Sequence, residues 1–394
     1  MNSYREKNIL LALLIITSFN KLFFSWLSIS ILGISFYLIL FIVTIFSIFL
    51  SKIKAYRKSD IYIYLVLIVS LFFVKFSRDI LYPSSRGYIS EILYSFPIYL
   101  IPVFLLIFSK IDKEFIKRLR TILLWLLIIQ AFLATMFMLH LPTVNLIGEN
   151  APINYIRYAG IMGAANMNSD FNALIVSILI LGSSNYSFTQ KVLIVMIGGI
   201  SVVPSFSRTA MGIILMIFVY IIFTTLKRKL RVLFWIILPI FILLSYVVIR
   251  SNMETLQEVR SFSRITTTIE NKGLDPNREA KNQLAYSLLT DNLSYFVFGA
   301  PVKKQIDGSI SVSDNSVLQN SLVNGAPFMI FFFLVIIKIS NLRVQINSDV
   351  ILYLLIITLT VFVNNALYWI PWIYLVSIGY WSISNKGKMR LNVT

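Results

Sequence analysis

The chain is built from long apolar runs, and their lengths constrain its fold more than anything else in it. A helix needs roughly 17–25 mostly apolar residues to cross a bilayer's hydrocarbon core. Runs of that kind lie at 8–26, 29–50, 60–78, 90–109, 119–140, 169–184, 190–205, 209–226, 232–250, 318–338, 349–364 and 367–384, about twelve in all. Lipid offers no partner for backbone N–H and C=O groups, so such runs fold as helices. Composition agrees, with 58% hydrophobic residues, 13% charged residues and a mean hydropathy of +0.81. Soluble domains sit near half apolar and a quarter charged. The expected fold class is therefore all-α: a polytopic membrane protein with about twelve transmembrane helices. Residues 1–394 form a single integral membrane domain, interrupted by one large polar loop at 251–317. The first run is followed by Phe19-Asn20-Lys21-Leu22 rather than by small cleavage-site residues, so it reads as a retained membrane helix. No internal repeat stands out.

The formal charge of +18 would point to nucleic acid in a soluble chain. Here its distribution gives it another meaning. Lys and Arg concentrate in cytoplasmic loops of membrane proteins. With the N-terminus inside, the inner loops carry 21 of the 35 basic residues and 5 of the 17 acids, a balance of +16. The outer side keeps the other 14 bases against 12 acids, a balance of +2. Both termini are therefore expected in the cytoplasm and the 251–317 loop outside it, with lipid and not nucleic acid as the surrounding partner.

Three arginines reach that outer side from distant parts of the sequence: Arg157, Arg208 and Arg278. Arg157 lies in the segment 141–168, which is too polar to span and is expected along the membrane surface. Arg208 sits at the lip of a span, in the short turn Pro204-Ser205-Phe206-Ser207-Arg208-Thr209. An arginine near hydrocarbon is costly and is usually placed for a reason. Its planar fork of donors suits phosphate oxygens. Arg278 follows Asp275-Pro276-Asn277, a helix-start pattern with Asp at the cap and Pro at the first helical position. Leu284, Leu288 and Leu289 then give that helix an apolar side. Each arginine could equally snorkel to lipid headgroups or pair with a nearby acid.

Asp314 and Asn315 close the loop immediately before the run that begins near Leu318. A carboxylate at this boundary beside cations can act as general base on a hydroxyl. Either residue would also serve as a helix cap, and so would Asn166 and Asn168 before the 169–184 run. There is no Cys and only one His, His140. No Asp-x-Asp pair occurs near the outer sites, so neither a metal nor a cofactor is expected.

These residues resemble a known family. Arg157-Tyr158-Ala159-Gly160, followed by Asn166, is similar to the Arg-x-x-Gly…Asn segment of the O-antigen ligase and polysaccharide polymerase superfamily. Ser207-Arg208-Thr209-Ala210-x-Gly212 resembles its Ser-Arg segment, and Arg278 before Phe298-Gly299 its outer-loop arginine. Asp314-Asn315-Ser316-Val317-Leu318, followed by Asn324-Gly325, resembles the His-Asn-x-x-Leu…Gly segment that closes the loop, with Asp in place of the ligases' His. The resemblance covers roughly residues 150–335.

What it implies is a metal-independent glycosyltransferase of the bacterial plasma membrane, acting at the outer face. The donor would be a glycan on undecaprenyl diphosphate and the acceptor a hydroxyl of the next lipid-linked repeat. Arg208 and Arg278, with Asp314, would carry catalysis, while Arg157, Asn166 and Asn315 would bind substrate. A chain-length regulator and a flippase of the same pathway are the implied protein partners. The leading reading is a polymerase of O-antigen or capsule. A ligase passing finished glycan to lipid A-core is the second, and a transporter of lipid-linked sugar the third. A transporter should carry ionisable or helix-breaking residues inside several spans. The runs read as largely uncharged, which favours the enzyme.

Overall fold

The computed structural model describes residues 4–18, 30–31, 34–81, 88–109, 112–139, 158–160, 165–183, 186–205, 207–225, 276–300, 315–340, 347–363 and 370–384. The expected span at 232–250 and most of the 251–317 loop, with Asp314, lie outside these residues. So does Arg157.

Among the described residues the chain is helical, apart from a two-residue antiparallel pairing of Ser30 with Ser35 and Ile31 with Ile34. The helices are α1 (Tyr4–Ser18), α2 (Phe36–Ser51), α3 (Lys58–Leu81), α4 (Tyr88–Phe108), α5 (Lys113–Met138), α6 (Ala165–Gly182) and α7 (Phe188–Val202). They continue as α8 (Arg208–Thr225), α9 (Pro276–Thr290), α10 (Leu293–Phe298), α11 (Ser316–Asn324), α12 (Ala326–Ser340), α13 (Ser348–Val363) and α14 (Ile370–Ser384). Among the described residues, four stretches are long and apolar enough to cross a membrane: Lys58–Arg78, Lys113–Met138, Phe188–Ser205 and Arg208–Thr225. A fifth arises if α11 and α12 count as one span, yet they are bent by 120° at a break. The continuous helix expected at 318–338 is therefore two pieces. Its break falls at Gly325, whose φ of +85° and ψ of 142° lie in a region almost closed to other residues. Ile42–Ser51, Ile98–Phe108 and Ser348–Val363 are apolar but shorter.

The apolar surface faces outward. On α3, Val69, Phe73, Phe76 and Ile80 are exposed, while Tyr64, Leu67, Leu71, Lys75 and Arg78 are buried. One face of the helix is thus oil turned toward its surroundings, and the opposite face carries the two cations inward. Water would favour the reverse, so this face fits hydrocarbon. Trp125 and Phe132 on α5, Leu215 on α8, and Ile330 and Leu334 on α12 are exposed in the same manner.

At the centre stands α6. Ala165 and every residue from Asn168 to Gly182 are buried, as expected of a helix enclosed all round. It packs against α5, α7, α8, α13 and α14, and α14 in turn packs against α4. There Phe104, Phe108 and Tyr374 form a ring cluster with centroids 5.0–5.7 Å apart. Arg120 of α5 donates to the carbonyl of Gly182, the last residue of α6, so one cation satisfies that helix's C-terminal end.

Ion pairs collect the other helix ends. Lys7 of α1 bonds Asp112, the N-cap of α5, whose carboxylate also accepts from Phe115 N at 3.0 Å. Lys52 pairs with Glu6 at 3.0 Å, Arg57 with Asp60 at 3.4 Å, and Arg118 with Glu114 at 2.6 Å. The starts of α1, α3 and α5 and the end of α2 thus share one face. These are residues that the charge reading assigned to the inner side.

Candidate functional site

The sequence segments singled out above come together in two groups. The first joins Tyr158–Gly160 to the turn between α7 and α8. Tyr158 N donates to Pro204 O at 3.2 Å, and Ser205 Oγ donates to Tyr158 O at 2.9 Å. The turn ends on Ser207, whose Oγ accepts from Ala210 N at 3.4 Å and caps α8. Arg208 follows as the first residue of α8 and is exposed. A cation in a first turn opposes the helix dipole. Its position beside free-ended N–H groups suits an anion bound by both. Gly160, with φ +56°, sits directly on Asn168, where a Cβ would collide with the amide. Asn166 lies half-buried in the first turn of α6, its backbone carbonyl accepting from Ser169 Oγ at 2.9 Å.

Beneath this group lies a polar network that the sequence did not single out. Tyr158 OH donates to Gln130, 2.7 Å from its Oε1, and Gln130 Nε2 donates to Asn168 Oδ1 at 2.6 Å. Asp170 and Asn172 follow on α6, each 0% exposed. The Asn172 amide has no hydrogen-bond partner among the described residues, although buried polar groups are normally bonded.

The second group surrounds α11. Pro276 begins α9, as the Asp-Pro pattern predicts, and Arg278 stands in its first turn. The expected apolar side forms: Leu284, Ala285, Leu288 and Leu289 pack with Tyr295, Ala300, Leu318 and Leu322. Asn315 is the N-cap of α11, its Oδ1 accepting from Val317 N at 2.9 Å and Leu318 N at 3.1 Å. The capping task that the sequence left open between Asp314 and Asn315 is thus performed by Asn315. Gly299 and Gly325 interlock at the far end. A Cβ on Gly299 would strike Val323 O, and one on Gly325 would strike Val297 O.

Three of the last carbonyls of α11 have donors among the described residues. Ser321 O accepts from Gly325 N at 2.8 Å and Leu322 O from Ala300 N at 2.7 Å. Val323 O accepts from Lys75 Nζ at 2.8 Å and from Arg78 Nη1 at 3.4 Å. Lys75 is 0% and Arg78 1% exposed, and Gln319, Asn320 and Asn324 of α11 are each 0% exposed. This corrects the sequence reading of largely uncharged runs. The apolar stretch 60–78 holds two enclosed cations, and the run at 318–338 is broken. The signal was present as a basic i, i+3 pair inside an apolar run, since an ionisable residue in such a run is a site candidate by default.

The two groups are linked through α13, which packs against both α8 and α11. The first presents Arg208 and the second Lys75 and Arg78, each with amides and a helix terminus nearby, a set suited to binding phosphate oxygens. No family model matches this sequence, and comparison with curated proteins returns no match.

Proposed function

We propose that this chain is a polytopic plasma-membrane glycosyltransferase. In this reading it extends a polysaccharide by transferring a glycan from undecaprenyl diphosphate to the next lipid-linked repeat. The carrying observation is the convergence of separated sequence segments. Tyr158–Gly160 is bonded to the turn that leads into Arg208, and the helix of Arg278 packs on the helix that Asn315 caps. A resemblance confined to short motifs gains weight when the motifs pair in space. In the proposed reaction the arginines hold the leaving diphosphate and stabilise its developing charge. Anchoring both substrates in one membrane supplies much of the rate through positioning. Asp314 takes the proton of the acceptor hydroxyl as the new glycosidic bond forms. The span count of about twelve, the outer position of the 251–317 loop and the cytoplasmic termini belong to this proposal.

A second reading, a transporter of lipid-linked sugar, draws support from Lys75, Arg78 and Asp170, all enclosed within apolar helices, and from the break at Gly325. Broken helices and enclosed ionisable residues are the usual marks of a transport path. The envelope glycan of a deletion strain separates the readings. Loss of a polymerase leaves single repeats on the final acceptor. Loss of a ligase leaves long chains on the carrier, and loss of a transporter keeps repeats from the outer face. Either of the last two patterns would overturn the polymerase.

A further inference from the structure

We infer that α10, the short helix within the 251–317 loop, is seated in membrane lipid rather than in the water beside it, with Leu293 and Phe296 as the side chains that enter the lipid. This rests on the membrane reading of the chain and on no particular reaction. The first ground is what the helix exposes. Leu293 is 76% and Phe296 39% exposed. They stand three residues apart and share one face. No large apolar side chain among the described residues is more exposed than Leu293. Exposed apolar residues mean little where they are scattered singly, so their position decides.

The second ground is depth. A Cβ on Gly325 would strike Val297 O, and one on Gly299 would strike Val323 O. Lys75 Nζ donates to that same Val323 O at 2.8 Å, so the end of α10 is level with Lys75 on α3. The helix also packs directly against α3 and α12. Beyond Lys75 the outward oil of α3 continues through Phe76, Ile80 and Leu81, at 58%, 66% and 51% exposure. Six residues of helix rise about 9 Å, within the roughly 5–10 Å to which interfacial helices bury their apolar side. The surface of α10 therefore continues the lipid-facing surface of α3 instead of standing above it. The third ground is the backbone, which lipid requires to be satisfied internally. Asn292 Oδ1 accepts from Ser294 N at 3.1 Å, and Asn292 O accepts from Tyr295 N and Phe296 N, each at 3.0 Å. Gly299 N donates to Tyr295 O at 2.9 Å and Ala300 N to Leu322 O at 2.7 Å. The fourth is a change of polarity along the hairpin. The exposed side of α9 starts with Glu279, Lys281 and Gln283 and passes through Tyr286, a side chain suited to the headgroup level. Thr290 and Asp291 are exposed at the corner, and the oil of α10 follows. Because α9 packs on α10, this seat holds the helix of Arg278 at the membrane surface.

The chain contains no Cys, so single cysteines can be spin-labelled without altering the background. The test places Leu293→Cys, Phe296→Cys, Gln283→Cys and Phe73→Cys in liposomes of phosphatidylethanolamine and phosphatidylglycerol. Collision with oxygen, which concentrates in lipid, is compared with collision with a water-soluble nickel complex. We expect the oxygen-to-nickel ratio at 293 and 296 to shift toward that of Phe73 on the outward face of α3, and Gln283 to read as water. Nickel preference at both 293 and 296, with Phe73 still reading as lipid, would refute the seat and leave the membrane reading intact. Nickel preference at Phe73 as well would overturn both. Protection of 293 and 296 from both reagents would mean that protein covers this face, which also refutes lipid as its partner. Should the labelled variants fail to accumulate, a phospholipid with a photoreactive acyl chain on the wild-type protein decides the matter. Adducts within 286–298 support the seat, and adducts confined to the long apolar helices overturn it.

Discussion

At the scale of single residues, Arg208 and Asp314 carry the sharpest expectations. Arg208 occupies the first position of α8, is exposed, and follows a turn tied to Tyr158. It is exposed in the first turn of a helix, so its replacement should leave protein levels near normal. Lysine keeps the charge and loses the planar fork. We therefore expect Arg208→Lys to be nearly as damaging as Arg208→Ala, with glycan chain length in a complemented deletion strain as the measurement. Normal polymer from both variants would remove Arg208 from the site. For Asp314, the structure simplifies the interpretation. Asn315 supplies the cap of α11, so replacing Asp314 leaves that cap in place. Loss of a cap would cost about 0.5–2 kcal/mol, and that cost belongs to Asn315→Ala. Asp314→Asn and Asp314→Ser should abolish polymer at normal abundance, because neither side chain is a carboxylate. Full-length polymer from either would show that Asp314 is not the base.

At the scale of elements, the bend at Gly325 is the feature most exposed to a single change. An alanine there would need a backbone conformation nearly confined to glycine, and its Cβ would overlap Val297 O. Gly325→Ala should therefore destabilise by about 1–3 kcal/mol from backbone strain alone, seen as a lower unfolding temperature in detergent. Gly299→Ala should behave alike, since it meets the same interlock from the other side. The Lys7–Asp112 pair gives a pH expectation. Partial burial raises the Asp112 carboxyl, but the bonds from Lys7 and Phe115 N outweigh this and hold it below its ordinary value. A depressed folded value stabilises above the unfolded value, near pH 4, and that stability is lost as pH falls through the folded value. Lys7→Met should flatten the acid limb of a detergent unfolding profile above that point. The effect is small, since Asp112 is 44% exposed. Helix positions were legible where apolar runs met a cap pattern, as at Pro276 and before Val317. The apolar run starts at 169, yet α6 begins at Ala165: Asn168 looks like a cap in sequence but is enclosed and bonded to Gln130, and Asn166 lies half-buried in the helix's first turn. The break at Gly325 was hidden inside an apolar run. A glycine's positive φ is dictated by what packs on it, here Val297 from 28 residues earlier. The sequence places the enclosed Lys75 and Arg78 with the outer charge, because composition alone does not say which way a side chain on an amphipathic face turns.

At the scale of the whole molecule, the two ends of α3 define the expectation. Its first turn lies with the ion pairs of Lys7, Lys52 and Arg57, on the face that collects the basic helix ends. Its last two turns carry Lys75 and Arg78 to the break between α11 and α12, beside Gly299 of the 251–317 loop. If the positive-inside rule orients the chain, the first face is cytoplasmic and the loop is not. This follows from the +16 against +2 split, and the side-chain pairing agrees by gathering the inner bases on one face. Reporter fusions test it directly. A phosphatase fused after Gly308 should be active and a fluorescent protein dark, while Lys229 should give the opposite pair. The two positions are separated by one expected span, at 232–250, so equal signals from both would show that this run does not cross. A cytoplasmic signal from Gly308 would invert the protein. Arg208, Arg278 and Asp314 would then face the compartment where lipid-linked repeats are made rather than joined, and the polymerase reading would fail on topology alone, whatever the variants of those residues did.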